Sequence, residues 1–329
     1  MHQNPELSFR EFETSKRLAS ELRNLGITVT ENVGGTGIVG MLQNGNGPVV
    51  MVRADMDGLP ITEDSGLAYA SKKTQEDING ERLPVMHACG HDVHTASLIG
   101  TALILNELKS NFDGTIKLVF QPGEEKIPGG AKLMIKEGLL QNNPQACIAQ
   151  HVYPDLPTGK VGFRSGTYMA SADEIYVTIK GKGGHAALPH LLNDPILMAS
   201  QIVINLQQIV SRYNKPDNPS VLSFGYVKAD GETNIIPDIV TLKGTFRTFD
   251  ETWRFIAHNK MKEIAYSICQ AAGGSCDFDI KIGYPFLVND ENITKLSKEA
   301  AQKFLGEENV VDLDLRMTSE DFAFISQKS

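Results

Sequence analysis

The feature that most constrains the fold is the alternation of short apolar runs and helix-like stretches across residues 48–151. Runs of strand length, at residues 48–53, 116–120 and 146–149, are separated by stretches with helical spacing of apolar residues, at 94–109 and 129–138. Such an alternation predicts βαβ units, which build a mostly parallel sheet with right-handed crossovers. We therefore predict an α/β fold for this part of the chain.

The order of predicted elements changes near residue 172. From residue 174 to residue 282 the signals follow the order β-α-β-β-α-β, which is the ferredoxin-like arrangement. Beyond residue 285 the sequence returns to a helix and a strand. We therefore predict one domain made of residues 1–172 and 284–329, and a second domain, residues 173–283, inserted into it.

Composition and charge argue against several classes of partner. The chain has 329 residues, of which 41% are hydrophobic and 22% charged, as is usual for a globular protein. Its net charge of −9 disfavours nucleic acid and anionic membrane surfaces. No apolar run approaches the ~20 residues that span a bilayer, and the polar start has no signal peptide. With four cysteines and no Cys-x-x-Cys pair, we expect a reducing, cytoplasmic location.

Residues 86–92 concentrate side chains that can bind a metal ion. Cys89 and His91 are separated only by Gly90, so both side chains can turn toward one point. Thiolate sulfur and imidazole nitrogen are preferred ligands of zinc-like divalent ions. His94 offers a further imidazole. Asp92 is a candidate for a hydrogen bond that orients one of the metal ligands without touching the metal. Taken alone, a packed cysteine is the more common explanation of such a segment.

Two later segments favour the metal site. Glu124 and Glu125 follow the apolar run 116–120, and His151 follows the run 146–149. Side chains just after the strands of an α/β sheet meet at its carboxyl edge. We therefore expect these three residues to converge with the residue 86–92 segment, with one acid binding metal and the other free to act as a base. Asp57 follows the run 48–53. It is a candidate for orienting a metal ligand through a hydrogen bond, and a solvated turn residue is the alternative.

These motifs resemble the metal-dependent amidohydrolases that include aminoacylase, hippurate hydrolase, auxin-conjugate hydrolases and N-acetyl-diaminopimelate deacetylase. The resemblance is to the branch with a cysteine metal ligand, and it covers essentially the whole chain in the same order. The segments that carry it are residues 2–8, 53–60, 87–92, 121–125, 150–152, 181–190, 233–238, 244–247 and 319–322.

The resemblance implies a binuclear metal site. Two divalent cations (zinc, manganese, cobalt or nickel) would be bound by Cys89, His91, Glu125 and His151. Glu124 would be the general base. The family's last metal ligand is a histidine well beyond the residue 319–322 motif, and members carry a further helix before residue 2. We therefore expect either that this chain is a fragment, with a truncated N-terminus, or that its second metal site is incomplete.

The resemblance also assigns roles in the inserted domain, which in this family is a lid that forms a homodimer. His185 would reach the partner's site and stabilise the oxyanion, while Asn234 and Arg247 would hold the free carboxylate of the substrate. By residue type alone, His185 is equally consistent with a turn residue and Arg247 with a surface ion pair.

The activity implied is hydrolysis of the amide bond of an N-acyl amino acid. A dipeptidase would use the same side chains on a dipeptide. A metal-dependent binding protein without turnover is the alternative from another class, favoured by the absence of the C-terminal histidine ligand from the sequence.

Overall fold

The computed structural model describes residues 1–328. In chain order, the helices of this part are α1 (Phe12–Asn24), α2 (His91–Glu107), α3 (Gly130–Lys136), α4 (Pro195–Leu206), α5 (Glu251–Ala271), α6 (Glu291–Leu305) and α7 (Ala323–Ser326). The strands are β1 (Thr28–Val33), β2 (Gly37–Asn44), β3 (Val49–Asp55), β4 (Thr74–Glu76), β5 (Arg82–Pro84), β6 (Gly114–Gln121), β7 (Ala146–Ala149), β8 (Val161–Phe163), β9 (Gly166–Met169), β10 (Asp173–Lys180), β11 (Gly184–His185), β12 (Ser220–Ala229), β13 (Ile235–Ile236), β14 (Ile239–Thr248), β15 (Ser275–Ile282), β16 (Leu287–Asn289) and β17 (Val310–Asp312).

The chain divides into two compact units. The first contains Met1–Gly166, Val288–Leu313 and residues 320–328, and the second contains Thr167–Leu287 and Asp314–Ser319. Each unit has its own buried apolar cluster. A cluster of this kind is what lets a unit bury enough apolar surface to be stable.

The first unit is built on a five-stranded sheet with the order β1-β2-β6-β3-β7. β6 is central and almost entirely buried, as its near-continuous apolar sequence predicts. β3 pairs in parallel with β6 and β7, whereas β2 is antiparallel to both β1 and β6. α1 and α2 contribute Leu22, Leu98 and Ala102 to the buried cluster of this unit.

The α/β class is confirmed, but the predicted mostly parallel sheet is wrong for its outer half. Gly34 and Gly35 have positive φ angles of 68° and 106°, and they close a tight hairpin between β1 and β2. No crossover helix separates these two strands, so they pair antiparallel.

One local prediction also needs correction. α2 begins at His91 rather than at residue 94, because Gly90 takes the left-handed conformation and ends the preceding turn. Phe12, at the start of α1, is exposed. The stretch between β3 and α2 contains the β4–β5 hairpin.

The second unit contains a four-stranded antiparallel sheet with the order β12-β14-β10-β15. Its core is formed by α4, α5 and the sheet, with Ile175, Ile202 and Ala257 fully buried. α4 begins with Asp194 as its N-cap and Pro195 at its first turn, and the carboxylate of Asp250 caps α5. Within residues 1–328, no helix is both long and apolar enough to cross a bilayer.

Candidate metal centre

The predicted ligands leave the first unit's sheet at one edge. β3 lies between β6 and β7 and is parallel to both, so the carboxyl ends of these three strands are neighbours. Asp57 follows β3, the pair Glu124 and Glu125 follows β6, and His151 follows β7. This is the edge at which α/β sheets place their sites.

The glycine between Cys89 and His91 shapes the turn that presents both. Gly90 has a φ of +80°, a conformation that favours glycine. A Cβ atom at this position would lie 2.4 Å from Val152 Cγ2. The lack of a side chain therefore lets the turn approach the loop that carries His151.

The predicted ligands form one cluster of donor atoms. Cys89, His91 and His151 each offer an atom within 4.8 Å of the other two, and the same holds for His91, Glu124 and Glu125. Cys89 Sγ lies 3.4 Å from His151 Nε2. His91 Nε2 lies 3.9 Å from Glu125 Oε1. His91 thus belongs to both groups and joins them.

Hydrogen bonds define which histidine nitrogens face the cluster. His151 Nδ1 lies 2.7 Å from the carbonyl oxygen of Val152, which can only accept, so Nδ1 carries the hydrogen and Nε2 is left with its lone pair. His91 Nδ1 lies 3.1 Å from Asp57 Oδ1. His91 Nε2 is buried and has no hydrogen-bond partner among residues 1–328.

This donor set fits a divalent metal ion. A buried nitrogen without a partner costs free energy unless something occupies its lone pair, and a histidine whose other nitrogen is held by a carboxylate is a typical ligand arrangement. Burial raises the pKa of the Cys89 thiol, and a bound cation would favour its thiolate form. Cys89, His91, Glu125 and His151 would hold the metal.

Asp57 also organises the two adjacent acids. Its carboxylate accepts the backbone N–H of Glu124 at 3.2 Å and that of Glu125 at 3.1 Å. The hydroxyl of Ser8 donates to it at 2.6 Å. One carboxylate therefore fixes the ring of His91 and the backbone of both acids.

Glu124 is suited to hold a proton. Its side chain is buried, and burial raises its pKa well above the ordinary value. The carboxylates of Glu320 and Asp321 raise it further. The pKa of Glu125 is also raised, first by burial and then by Asp57, while His91 acts in the opposite direction.

Comparison with known proteins places the chain in a family. The family model described as peptidase family M20/M25/M40 matches residues 51–329. The chain belongs to this family. The M20 chain is 39% identical over 329 residues to an N-acetyl-L-cysteine deacetylase of Bacillus subtilis, covering 98% of this chain and 75% of the relative.

Two further similarities bear on the site. The chain is 38% identical over 335 residues to the hippurate hydrolase of Campylobacter jejuni, covering 99% of this chain and 83% of the relative. A solved Bacillus subtilis structure, described as a dinuclear metal-binding peptidase of the M20 family, superposes with a TM-score of 0.79 at 35% identity. That match covers 99% of this chain and 83% of the solved one.

His94 of the M20 chain has no nitrogen free for a metal. Its Nε2 accepts the backbone N–H of Val152 at 2.9 Å, so Nδ1 carries the hydrogen and donates to Asp55 Oδ1 at 2.6 Å. Asp55, His91 and His94 also lie within 4.8 Å of one another. Because both nitrogens of His94 are used, we assign it to support of the loop that contains His151.

Sequence reasoning missed a buried ionic network behind the acids. The Arg53 guanidinium donates to Asp55 at 2.7 Å, and to Glu320 and Asp321 at 2.9 Å each. Asp321 also accepts from the side chain of Gln121 and from the backbone N–H of Ala131 in the first turn of α3. The sequence feature that could have indicated this network is Arg53, two residues before Asp55 on a buried strand. Residues two apart on a strand point to the same face of the sheet.

The other predicted site residues of the M20 chain are not part of the cluster. His185, Asn234 and Arg247 belong to the second unit. His185 pairs with Ile235 in the short β11–β13 ladder, and the carbonyl of Asn234 accepts the N–H of the residue after His185. Arg247 donates to the hydroxyl of Ser319 at 2.8 Å. Burial lowers the pKa of Arg247.

Asp92 does not face the donor atoms either. Its carboxylate lies 2.8 Å from His2 Nδ1, and His2 Nε2 lies 3.1 Å from Glu63. These contacts raise the pKa of His2, and the hydrogen bond that His2 donates to Glu63 is the largest cause. The structure therefore connects Asp92 with the N-terminal segment, and Asp57 with the cluster.

Proposed function

We propose that this chain is a metal-dependent hydrolase that cleaves the amide bond of N-acyl amino acids. The observation that carries the proposal is the convergence of Cys89, His91, Glu125 and His151 around a buried His91 nitrogen without a partner among residues 1–328. Two divalent cations are the proposed cofactor. When bound, they would polarise the acyl carbonyl and make water more acidic.

In this proposal Glu124 moves the proton. It takes a proton from the attacking water and passes it to the leaving amine. Its raised pKa supports the role, because burial makes this carboxylate a stronger base than an exposed glutamate.

The second unit supplies the remaining proposed roles. Asn234 and Arg247 would hold the substrate carboxylate, since a guanidinium stays charged at all physiological pH values. His185 would stabilise the oxyanion in the site of a partner subunit. The exposed side chain of His185 and the short β11–β13 ladder are consistent with this role.

We also propose that residues 173–283 form a ferredoxin-like lid through which two chains form a homodimer. The strand order β12-β14-β10-β15 with two helices supports this proposal. β12 is an edge strand with exposed Tyr226 and Val227, and unpaired edge strands are prone to pair with another chain. Residues 1–172 and 284–329 would then form the catalytic domain.

A dipeptidase is the second candidate. The observation that favours it is the peptidase description of the related solved structure. The same residues would serve, with an aminoacyl group in place of the acyl group.

The deciding experiment measures amine release from N-acetyl, N-benzoyl and dipeptide substrates by protein supplied with zinc, manganese, cobalt or nickel. We expect hydrolysis of the N-acyl compounds, with kcat lower by roughly 10²–10⁴ in the Glu124→Gln variant. Hydrolysis of dipeptides alone would favour the peptidase. Metal binding with no amine release from any compound would mean a binding protein and would contradict the proposal.

A further inference from the structure

A cavity of about 250 Å³ lies beside Glu125 and is lined by residues of the first unit. We propose that it receives the acyl group of the substrate and favours acyl groups that end in a carboxylate, such as succinyl or glutaryl. This inference rests on the proposed function, and it adds a charge preference that the proposed function does not contain.

The cavity shares a wall with the proposed metal ligands. Glu125 lines the cavity, and its carboxylate lies 3.9 Å from His91 Nε2. Ser8 lines it too, and its hydroxyl donates to Asp57, which holds the ring of His91. If the acyl chain of a substrate occupies the cavity, the carbonyl group of that chain would therefore lie near the proposed metal ligands.

Two cationic side chains lie in the cavity wall. Arg10 and Lys126 both line the cavity, and within residues 1–328 neither makes a salt bridge. Arg10 Nε is buried and has no hydrogen-bond partner in that part of the chain. The guanidinium of Arg10 stands 5.7 Å from the centre of the Phe12 ring, which limits its freedom.

The two acids in the same wall are already engaged. The carboxylate of Asp77 accepts the backbone N–H groups of Glu81 and Asn79 at 2.9 and 2.8 Å. These bonds, with the one from Glu81 the largest cause, lower the pKa of Asp77, and the charge of Lys126 lowers it further. Glu125 is directed to the proposed metal ligands. An anion brought by a ligand would therefore pair first with Arg10, and Lys126 in the same wall would add to the attraction.

The rest of the wall suits a short methylene chain. Leu7, Leu59, Pro60 and Leu83 contribute apolar surface to the same wall. A chain of methylene groups that ends in a carboxylate presents matching chemistry, with apolar atoms along its length and charge at its end.

The test compares N-glutaryl-glycine with N-pentanoyl-glycine, whose acyl chains differ mainly in the terminal carboxylate. Calorimetric titration uses the metal-supplied Glu124→Gln protein, so binding is measured without turnover. We expect the glutaryl compound to bind about tenfold more tightly, as a charge-assisted contact allows. Arg10→Met and Lys126→Met should each reduce this preference, and Arg82→Met, at an exposed cation outside the cavity wall, should preserve it.

Equal affinity for the two compounds, or no binding of either, would overturn the proposal. So would a preference that survives Lys126→Met, a change at a partly exposed side chain that should not disturb folding. Amine release from N-acetyl-glycine by the unaltered protein is measured in parallel. Release without any glutaryl preference would reject the charge preference and leave the proposed function in place.

Discussion

Cys89 supplies the sulfur atom of the proposed metal group. Its Sγ lies 3.4 Å from His151 Nε2, so a shared ion would bind both. We predict that Cys89→Ala lowers metal affinity at least about tenfold, because a lost ligand cannot be replaced by a methyl group. Elemental analysis after dialysis measures the bound metal. Cys276→Ala, in the second unit, is the matched control and should keep its metal; equal metal content in both variants would count against the assignment.

Glu124 and its neighbour Glu125 are given different roles, and one substitution separates them. Glu124→Gln keeps the shape of the side chain but removes its basicity. We predict that kcat falls by roughly 10²–10⁴, the usual contribution of a positioned acid or base, while bound metal is unchanged. The corresponding Glu125→Gln variant should lose metal. Metal loss in the first variant would reverse the two roles.

At the scale of elements, His94 joins α2 to the ends of β3 and β7. It donates to Asp55 and accepts from the backbone of Val152, the residue next to His151. We predict that His94→Ala weakens metal binding by about 10–100-fold, as is usual when a group that supports a ligand is lost. The free energy of unfolding should also fall, by about 1–3 kcal/mol, because Asp55 loses a buried donor. His190→Ala, at an exposed histidine, is the control, and unchanged metal affinity in His94→Ala would contradict the supporting role.

In the second unit, Asp173 ties β10 to α5. Its buried carboxylate accepts from Arg254 at 2.6 and 2.8 Å and lies 2.7 Å from His258 Nε2. Burial raises the pKa of Asp173, but the hydrogen bonds from Arg254 and His258 outweigh it, so the pKa is lowered below the ordinary 3.8. We predict that Asp173→Asn lowers the free energy of unfolding by about 3–5 kcal/mol at pH 7.

The pH dependence of that effect has a definite sign. A carboxyl whose pKa is lowered in the folded state stabilises it above the unfolded-state pKa, and this contribution disappears as pH falls through the folded-state pKa. Urea unfolding should therefore show a difference between Asp173→Asn and the parent that is full at pH 7 and shrinks below about pH 4. Asp277→Asn, at an exposed acid, should change little at either pH. A difference that persists undiminished at pH 2 would rule out the ionic explanation.

At the scale of the whole molecule, the proposed dimer should depend on one edge of the second unit's sheet. Val227 on β12 is 63% exposed, and Ile282 on β15, the opposite edge, is 48% exposed. We predict that the protein has twice the mass of one chain in light scattering at micromolar concentration. Val227→Asp should give monomers, and Ile282→Asp should not, because a charge on the pairing edge opposes strand addition. Monomer in the unaltered protein would reject the dimer.

The sequence by itself determined the α/β class and the segments whose donor atoms meet in the candidate metal centre. Residues 116–120 and 146–149 are apolar enough to form strands, the first buried and the second at the edge of the sheet, so the polar side chains directly after them leave at the end of the sheet. Gly90 between Cys89 and His91 indicated a turn that presents both. These are local signals, and they survive packing because they depend only on periodicity and on backbone freedom. The assigned roles of these residues stay predictions.

Only the tertiary structure decided which partners the buried groups take. Arg53 meets Asp321 across 268 positions of the chain, and no pattern within either segment names the other. The sequence offered His94 as a possible ligand, but packing of β3, α2 and β7 gave both of its nitrogens other partners and left Nε2 of His91 without one within residues 1–328. The outer half of the sheet was decided in the same way, because β2 pairs antiparallel with β6, a distant strand whose direction the sequence of β2 does not specify. Hydrogen-bond partners between distant segments depend on geometry that forms only when the elements pack, whereas periodicity reports only which face of each element is buried.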